Sequence, residues 1–226
     1  MFKQVFTSAL IAGLAAGALA ALLQLTFVVP LLMEGELYEF SDRVHFRDGQ
    51  IGSPRLAPEI WGELPRHFGT FGSNLVTYTG FALIMVAAFL LAQKFGKRID
   101  ARTGMIWGLA GFLAVNLAPA FGLPPELPGT ASAGLIARQT WWLFAALGTV
   151  SGVALLGFGR NLGTALLGTV AIAAPQLVGA PHLDAYYGVA PPELATLYAV
   201  RSIGVAAVAW VAMGWLAGFL WEKSEG

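Results

Sequence analysis

Apolar residues run along this chain in long, nearly unbroken blocks, not in the stripe of an amphipathic helix or the alternation of a half-buried strand. A block of about 18 or more such residues can cross a hydrocarbon core roughly 30 Å thick. Six blocks qualify as predicted helices: about 5–33, 72–93, 104–121, 139–158, 162–179 and 197–221. The fifth is short and ends near Pro175, and the break before it, GFGRNLG (157–163), places Arg160 and Asn161 between glycines in a tight turn. The first block, with Lys3 ahead of it and Ala18-Leu19-Ala20 inside it, has the look of a signal peptide. Its apolar run continues through Phe27 to Met33, however, past the reach of a signal core, which predicts a retained helix. The predicted fold class is all-α. A single membrane domain over 1–226 forms a polytopic bundle of five to six transmembrane helices, with a long outer loop at 34–71.

Composition supports lipid as the solvent. Of 226 residues 57% are apolar and 12% charged, half the charged share of a soluble domain, and mean hydropathy is +0.68. Cysteine is absent, which excludes disulfides, thiolate zinc sites and iron–sulfur clusters. A metal here would need His, carboxylate, amide or backbone oxygen, a set that suits intermediate or hard divalent ions. Net charge is zero, so no global field favours nucleic acid. No GxxxxGK[ST] loop, Gly-x-Ser-x-Gly elbow or Ser-His-Asp grouping occurs, and the chain reads as a non-enzyme.

The distribution of charge orients the bundle. Lys94, Lys97, Arg98 and Arg102 crowd one short loop, and Lys3, Arg160 and Lys223 fall on the same side, which places both termini in the cytoplasm. Arg43, Arg47, Arg55 and Arg66 fall in the outer loop. The acids then segregate: Glu34, Glu36, Glu39, Asp42, Asp48, Glu59, Glu63, Glu126, Asp184 and Glu193 lie outside, with only Asp100, Glu222 and Glu225 inside. All three histidines (45, 67 and 182) are also outside. The outer face carries about −4 and the inner about +4 in this topology. The positive-inside bias acts on Lys and Arg and leaves the clustering of carboxylates unexplained. A negative, histidine-bearing mouth concentrates cations.

The six spans pair into three tandem hairpins with similar punctuation. The outward helices carry Gln24 and Pro30 before Glu34 and Glu36, then Asn116 and Pro119 before Glu126, then Pro175 and Gln176 before His182, Asp184 and Glu193. Proline lacks an N–H and frees the carbonyl four residues back. In lipid that carbonyl needs a neighbouring helix, water or a cation. A simple kink and a row of oxygen ligands are both open readings. The candidate cation pathway is therefore Gln24, Asn116 and Gln176 with Pro30, Pro119 and Pro175.

Two loops repeat the tetrapeptide PPEL, at 124–127 and 191–194. Proline followed by glutamate suits a helix start, which accounts for Glu193 ahead of the last span. Pro128-Gly129 follow Glu126, so no helix propagates from it, and it is the stronger candidate ligand. The candidate metal set is Glu126, His182, Asp184, Glu193, Glu34 and Glu36. Arg138 and Arg201, opening the following helices, are candidate counter-ions, since an isolated charge near the membrane is costly. Glu63 and His67, four apart, and Tyr186 and Tyr187 beside His182 add donors without forming a specific motif. Small-xxx-small pairs at Gly13/Gly17, Gly104/Gly108, Gly148/Gly152, Gly159/Gly163 and Gly214/Gly218 offer grooves for helix packing or for a partner helix. Trp141, Trp142 and Trp221 suit interface positions.

FKQVFTSALIAGLAAGALAALLQLTFVVPLLMEGELYE, LPPELPG and APQLVGAPHLDAYYGVAPPELA, in that order, resemble the predicted cobalt transporter subunit family CbtA. The resemblance covers nearly the whole chain. It implies a multi-pass protein of the bacterial inner membrane, linked to cobalt supply for cobalamin, with a small single-span partner subunit bearing a His-rich motif. It also implies about five spans, against six from hydropathy. The leading reading is a membrane subunit that takes up a divalent transition metal, cobalt or nickel, as substrate and holds no tight cofactor. The rival is a non-transporting scaffold that binds partner helices through its glycine grooves. The expected partners are the bilayer, the small subunit and further copies of the chain.

Overall fold

A computed structural model describes residues 2–45, 52–55, 60–185 and 187–225. Arg47, Asp48, Glu59 and Tyr186 lie outside the described residues, as do the side chains of Lys3 and Glu225. Among the described residues every regular element is helical. In chain order these are α1 (Phe2–Phe27), α2 (Val29–Glu39), α3 (Leu64–Lys94), α4 (Ala101–Phe112), α5 (Ala118–Ala120), α6 (Leu135–Phe158), α7 (Leu162–Val178) and α8 (Pro192–Glu225). A 3-10 turn at Ile60–Glu63 leads into α3, and a π-helical turn at Leu113–Leu117 joins α4 to α5.

Among the described residues five stretches are long and apolar enough to cross a membrane: Phe6–Phe27, Leu64–Lys94, Ala101–Ala120, Leu135–Phe158 and Pro192–Ser224. The chain is a polytopic helical membrane protein. The expected fifth span is α7, whose 17 residues reach about 26 Å at 1.5 Å per residue, short of a full hydrocarbon core. Other boundaries shift too. The predicted first span breaks after Phe27, and Pro30 opens α2 in its first turn, where a missing N–H leaves no bond unmade. The expected 34–71 loop is helical at both ends, to Glu39 and from Leu64, and α8 begins at Pro192 instead of near 197.

The chain forms two compact units, one of Met1–Phe27, Ile60–Phe112 and Gly204–Gly226, the other of Val28–Glu59 and Leu113–Ile203. In the first, small residues set the spacing, because lipid provides no hydrophobic drive and close backbone approach must supply dispersion. α1 buries Ala9, Ala12, Ala16 and Ala20 in a row. A Cβ added at Gly13 would lie 2.5 Å from Thr79 Cα, and one at Gly17 2.8 Å from the Asn74 carbonyl oxygen, so α1 and α3 run antiparallel in contact. Across the same seam Asn74 Nδ2 donates to Gln24 Oε1 at 2.9 Å, and within α3 it also donates to the Thr70 carbonyl at 2.8 Å. α4 meets α8 in the same manner, with Gly104 against the Gly214 carbonyl and Gly108 against that of Trp210. Phe89 packs edge-on to Trp107 and Trp221, with centroids 5.6 and 6.1 Å apart. Asp100 caps α4: the Thr103 N–H donates to Asp100 Oδ1 at 2.7 Å, and the Asp100 N–H donates to the Thr103 hydroxyl at 2.8 Å. Those bonds hold the Asp100 carboxyl below the usual carboxylate range.

In the second unit α6 and α7 form an antiparallel hairpin. Asn161 and Thr164 make a capping box at its turn, with the Thr164 N–H donating to Asn161 Oδ1 at 2.9 Å. Gly159 and Gly163 serve this turn and line no helix groove, since an added Cβ would meet Thr164 and Asn161. Further along, a Cβ at Gly152 would lie 2.5 Å from the Gly168 carbonyl oxygen and one at Gly148 2.7 Å from that of Ala171. Ala171 is the residue whose carbonyl Pro175 deprives of a donor, so the freed oxygen rests against the Cα of a glycine. The hairpin closes where the Trp141 indole N–H donates to the Pro175 carbonyl at 3.1 Å. α7 thereby returns the chain to the end at which α6 began. Trp141 and Trp221, expected at the interface, are only 6% and 1% exposed, whereas Trp142 is 39% exposed.

Candidate functional site

Three segments expected as separate outer loops come together in the second unit. Leu31 and Tyr38 of α2, Leu127 of the first PPEL and Leu194 of the second form one buried cluster, with Leu197 and Tyr198 of α8 against it. The two tetrapeptides thus contribute the same residue, leucine, to the same core. Gly35 lies against Leu127, with a Cβ placed there 2.9 Å from Leu127 Cδ2. Gly129, at φ +77°, sits under Val189 Cγ2 and beside Glu39, a conformation and a space that only glycine fills. The Ala131 N–H donates to the Tyr187 carbonyl at 3.3 Å and ties the 121–134 loop to the 179–191 loop.

Among the expected metal-binding residues, Glu34 and Glu126 are paired with arginine. Arg43 Nη1 reaches Glu34 Oε1 at 3.0 Å, with both side chains under a tenth exposed. Arg138 Nη2 reaches Glu126 Oε2 at 2.8 Å while its Nη1 donates to Ser132 Oγ at 2.7 Å. Removing two charges from water is repaid only by such close pairing. The remaining candidates are less confined. His182, Asp184 and Glu193 are exposed, Glu193 in the first turn of α8, and Glu36 is half-buried and engaged by a neighbour. Among the described residues no three His, Asp or Glu side chains converge closely enough to hold a metal ion together.

The expected pathway amides are likewise bonded within the protein. Gln24, in the first unit, accepts from Asn74. Gln176 Nε2 donates to the Ala118 carbonyl at 2.9 Å and binds α7 to the proline-broken end of the third long span. Asn116 lies in the π-helical turn just before Pro119; both Pro119 and Pro175 are buried. A widened π turn next to a proline absorbs the missing donor. Arg201 is half-buried nearly three turns inside α8, because that helix starts earlier than its apolar run.

Sequence reasoning passed over Arg43, Ser132, Asn74 and the PPEL leucines. Arg43 was visible nine residues after Glu34. The leucines carried a signal in the repeat itself, which draws the eye to its charge. Ser132 and Asn74 have no local pattern that marks them.

Comparison with protein families supplies the remaining evidence. Residues 2–222 match the family model described as "Probable cobalt transporter subunit (CbtA)", and the chain belongs to that family. Comparison with curated proteins and with solved structures gave no match.

Proposed function

From membership of a cobalt transporter subunit family, we propose that this chain is the membrane-embedded part of a divalent transition-metal uptake system, with cobalt as substrate and nickel the nearest competitor. As a subunit it works with other chains. The proposed partner is a small single-span, histidine-bearing subunit, and the proposed site of action is the bacterial inner membrane, with both termini cytoplasmic. The observation that supports an outer gathering face is the joining of three acid-bearing segments into one packed cap around Leu31, Tyr38, Leu127 and Leu194. His182 and Asp184, exposed on that cap, supply first contact. Glu126 is the inner acceptor, reached as the cation takes the place of Arg138, which keeps its bond to Ser132. Mixed nitrogen and oxygen ligation suits cobalt(II) and needs no thiolate. From there the proposed route follows Asn116 and Gln176 past the proline-broken helix ends.

The scaffold reading has lost its main support. Gly13/Gly17, Gly104/Gly108, Gly148/Gly152 and Gly214/Gly218 are filled by helices of the chain itself.

Uptake of radiolabelled cobalt into cells carrying the complete transporter tests the assignment. Glu126→Gln and His182→Ala are each expected to lower initial uptake by about tenfold or more, at unchanged protein level in the membrane. Normal uptake by the double variant removes the cap from the transport path.

A further inference from the structure

The connection between α3 and α4 is only six residues long (95–100), so it cannot leave the boundary of the two apolar helices it joins. Lys94, Lys97, Arg98 and Arg102 crowd this turn, and all four are exposed. The Asp100 carboxylate is turned onto Thr103, and Glu222 meets Arg98 only at 3.4 Å, with the two side chains 44% and 82% exposed. Lys223, on the same stretch of α8 as Glu222, rests its ammonium 4.6 Å from the Phe219 ring centre and adds a fifth cation to this end of the first unit. Leu91, Phe95 and Ile106, close to these cations in the chain, are apolar side chains at 56%, 66% and 60% exposure.

We propose that this end of the first unit binds the phosphodiester headgroup of an anionic phospholipid. The cations take the phosphate, as polybasic segments next to a membrane do. Leu91, Phe95 and Ile106 take the upper acyl chains. That adjoining apolar surface selects a lipid over a free phosphate, which would leave it uncovered. Arg98 has a fork of donors for phosphate oxygens, and its weak exposed pairing with Glu222 is readily exchanged. The site is separate from the metal reading and stands or falls independently of it.

The test follows thermal unfolding of the purified full chain in neutral detergent, with phosphatidylglycerol or phosphatidylcholine of identical acyl chains. Phosphatidylglycerol is expected to raise the midpoint by about 5 °C and phosphatidylcholine by less than about 1 °C, the difference vanishing near 0.5 M salt. Lys97→Gln/Arg98→Gln is expected to lose at least half of that shift while keeping its midpoint in phosphatidylcholine. Should that pair prevent folding, Lys94→Gln/Arg102→Gln gives the same reading from the two flanking helix ends. Equal shifts by the two lipids overturn the proposal, as does a variant that keeps the whole shift. Glycerol phosphate alone reproducing the shift also overturns it, by showing a site for free anions.

Discussion

The two PPEL segments are the same four residues with opposite fates for their glutamates. In both, leucine enters the cluster with Leu31 and Tyr38. In the first, Pro128 and Gly129 stop any helix, and Glu126 is held half-buried by Arg138. In the second, α8 begins at Pro192 and Glu193 is left exposed in its first turn. What differs is the next few residues, which decide whether the backbone turns or winds. The repeat is therefore a device for inserting leucine at the cap, and the chemistry of each glutamate is set by its neighbours.

The strongest way to break this comparison is to remove what the copies share. Leu127→Ala is expected to destabilise by about 3 kcal/mol and Leu194→Ala by about 2, since Leu194 is the more exposed of the two. Both leucines line one cluster, so the double variant is expected to cost less than the sum. Thermal unfolding in detergent with a double-mutant cycle measures this. Strict additivity would show that the leucines do not share a core.

Next in size are the glutamates. Glu126→Gln leaves Arg138 without its carboxylate, with only an amide oxygen and Ser132 as acceptors from these two partners, and is expected to cost about 1–2 kcal/mol, between exposed and buried pairs. Glu193→Gln removes only an exposed charge from a helix start and is expected to cost about 0.3–0.5 kcal/mol. Arg138→Gln in the Glu126→Gln background separates pairing from other effects: a pair predicts little further loss. Equal costs for the two glutamates would erase the distinction drawn between the copies.

Much of the bundle was legible from the chain because lipid imposes a simple rule: long apolar blocks must be helices. Close packing was legible as well, and four of the five glycine pairs do line helix contacts, whereas Gly159/Gly163 were absorbed by the Asn161 cap. The cap was not legible. Proline-rich loops have no period, so nothing in LPPELPG tells which side chain faces inward. Ion pairs such as Glu34–Arg43 depend on a turn whose path the sequence does not state. Helix ends were displaced because hydropathy reports where lipid begins, whereas winding continues past it, as in α3 from Leu64 and α8 from Pro192. The partners of the amides were not legible either. Gln24 and Gln176 look alike in an apolar helix whether they wait for an ion or fasten a neighbour, and here both fasten neighbours.

The smallest prediction sets Glu193 against another acid that opens a helix, Asp100. Asp100 is bonded to Thr103 through backbone and side chain, and these bonds lower its carboxyl from 3.8. The folded state thus binds this proton less readily than the unfolded one, so the carboxylate stabilises the protein above 3.8 and loses that effect as pH falls through its lowered folded value. Asp100→Asn keeps an N-cap acceptor without the titration, and its cost relative to the parent is expected to stay under about 1 kcal/mol at neutral pH. The gap should then close on acidification below 3.8. A gap that stays constant down to about pH 2.5 would mean that Asp100 acts by shape alone, leaving no titrating cap in the first unit with which to contrast the exposed charge of Glu193.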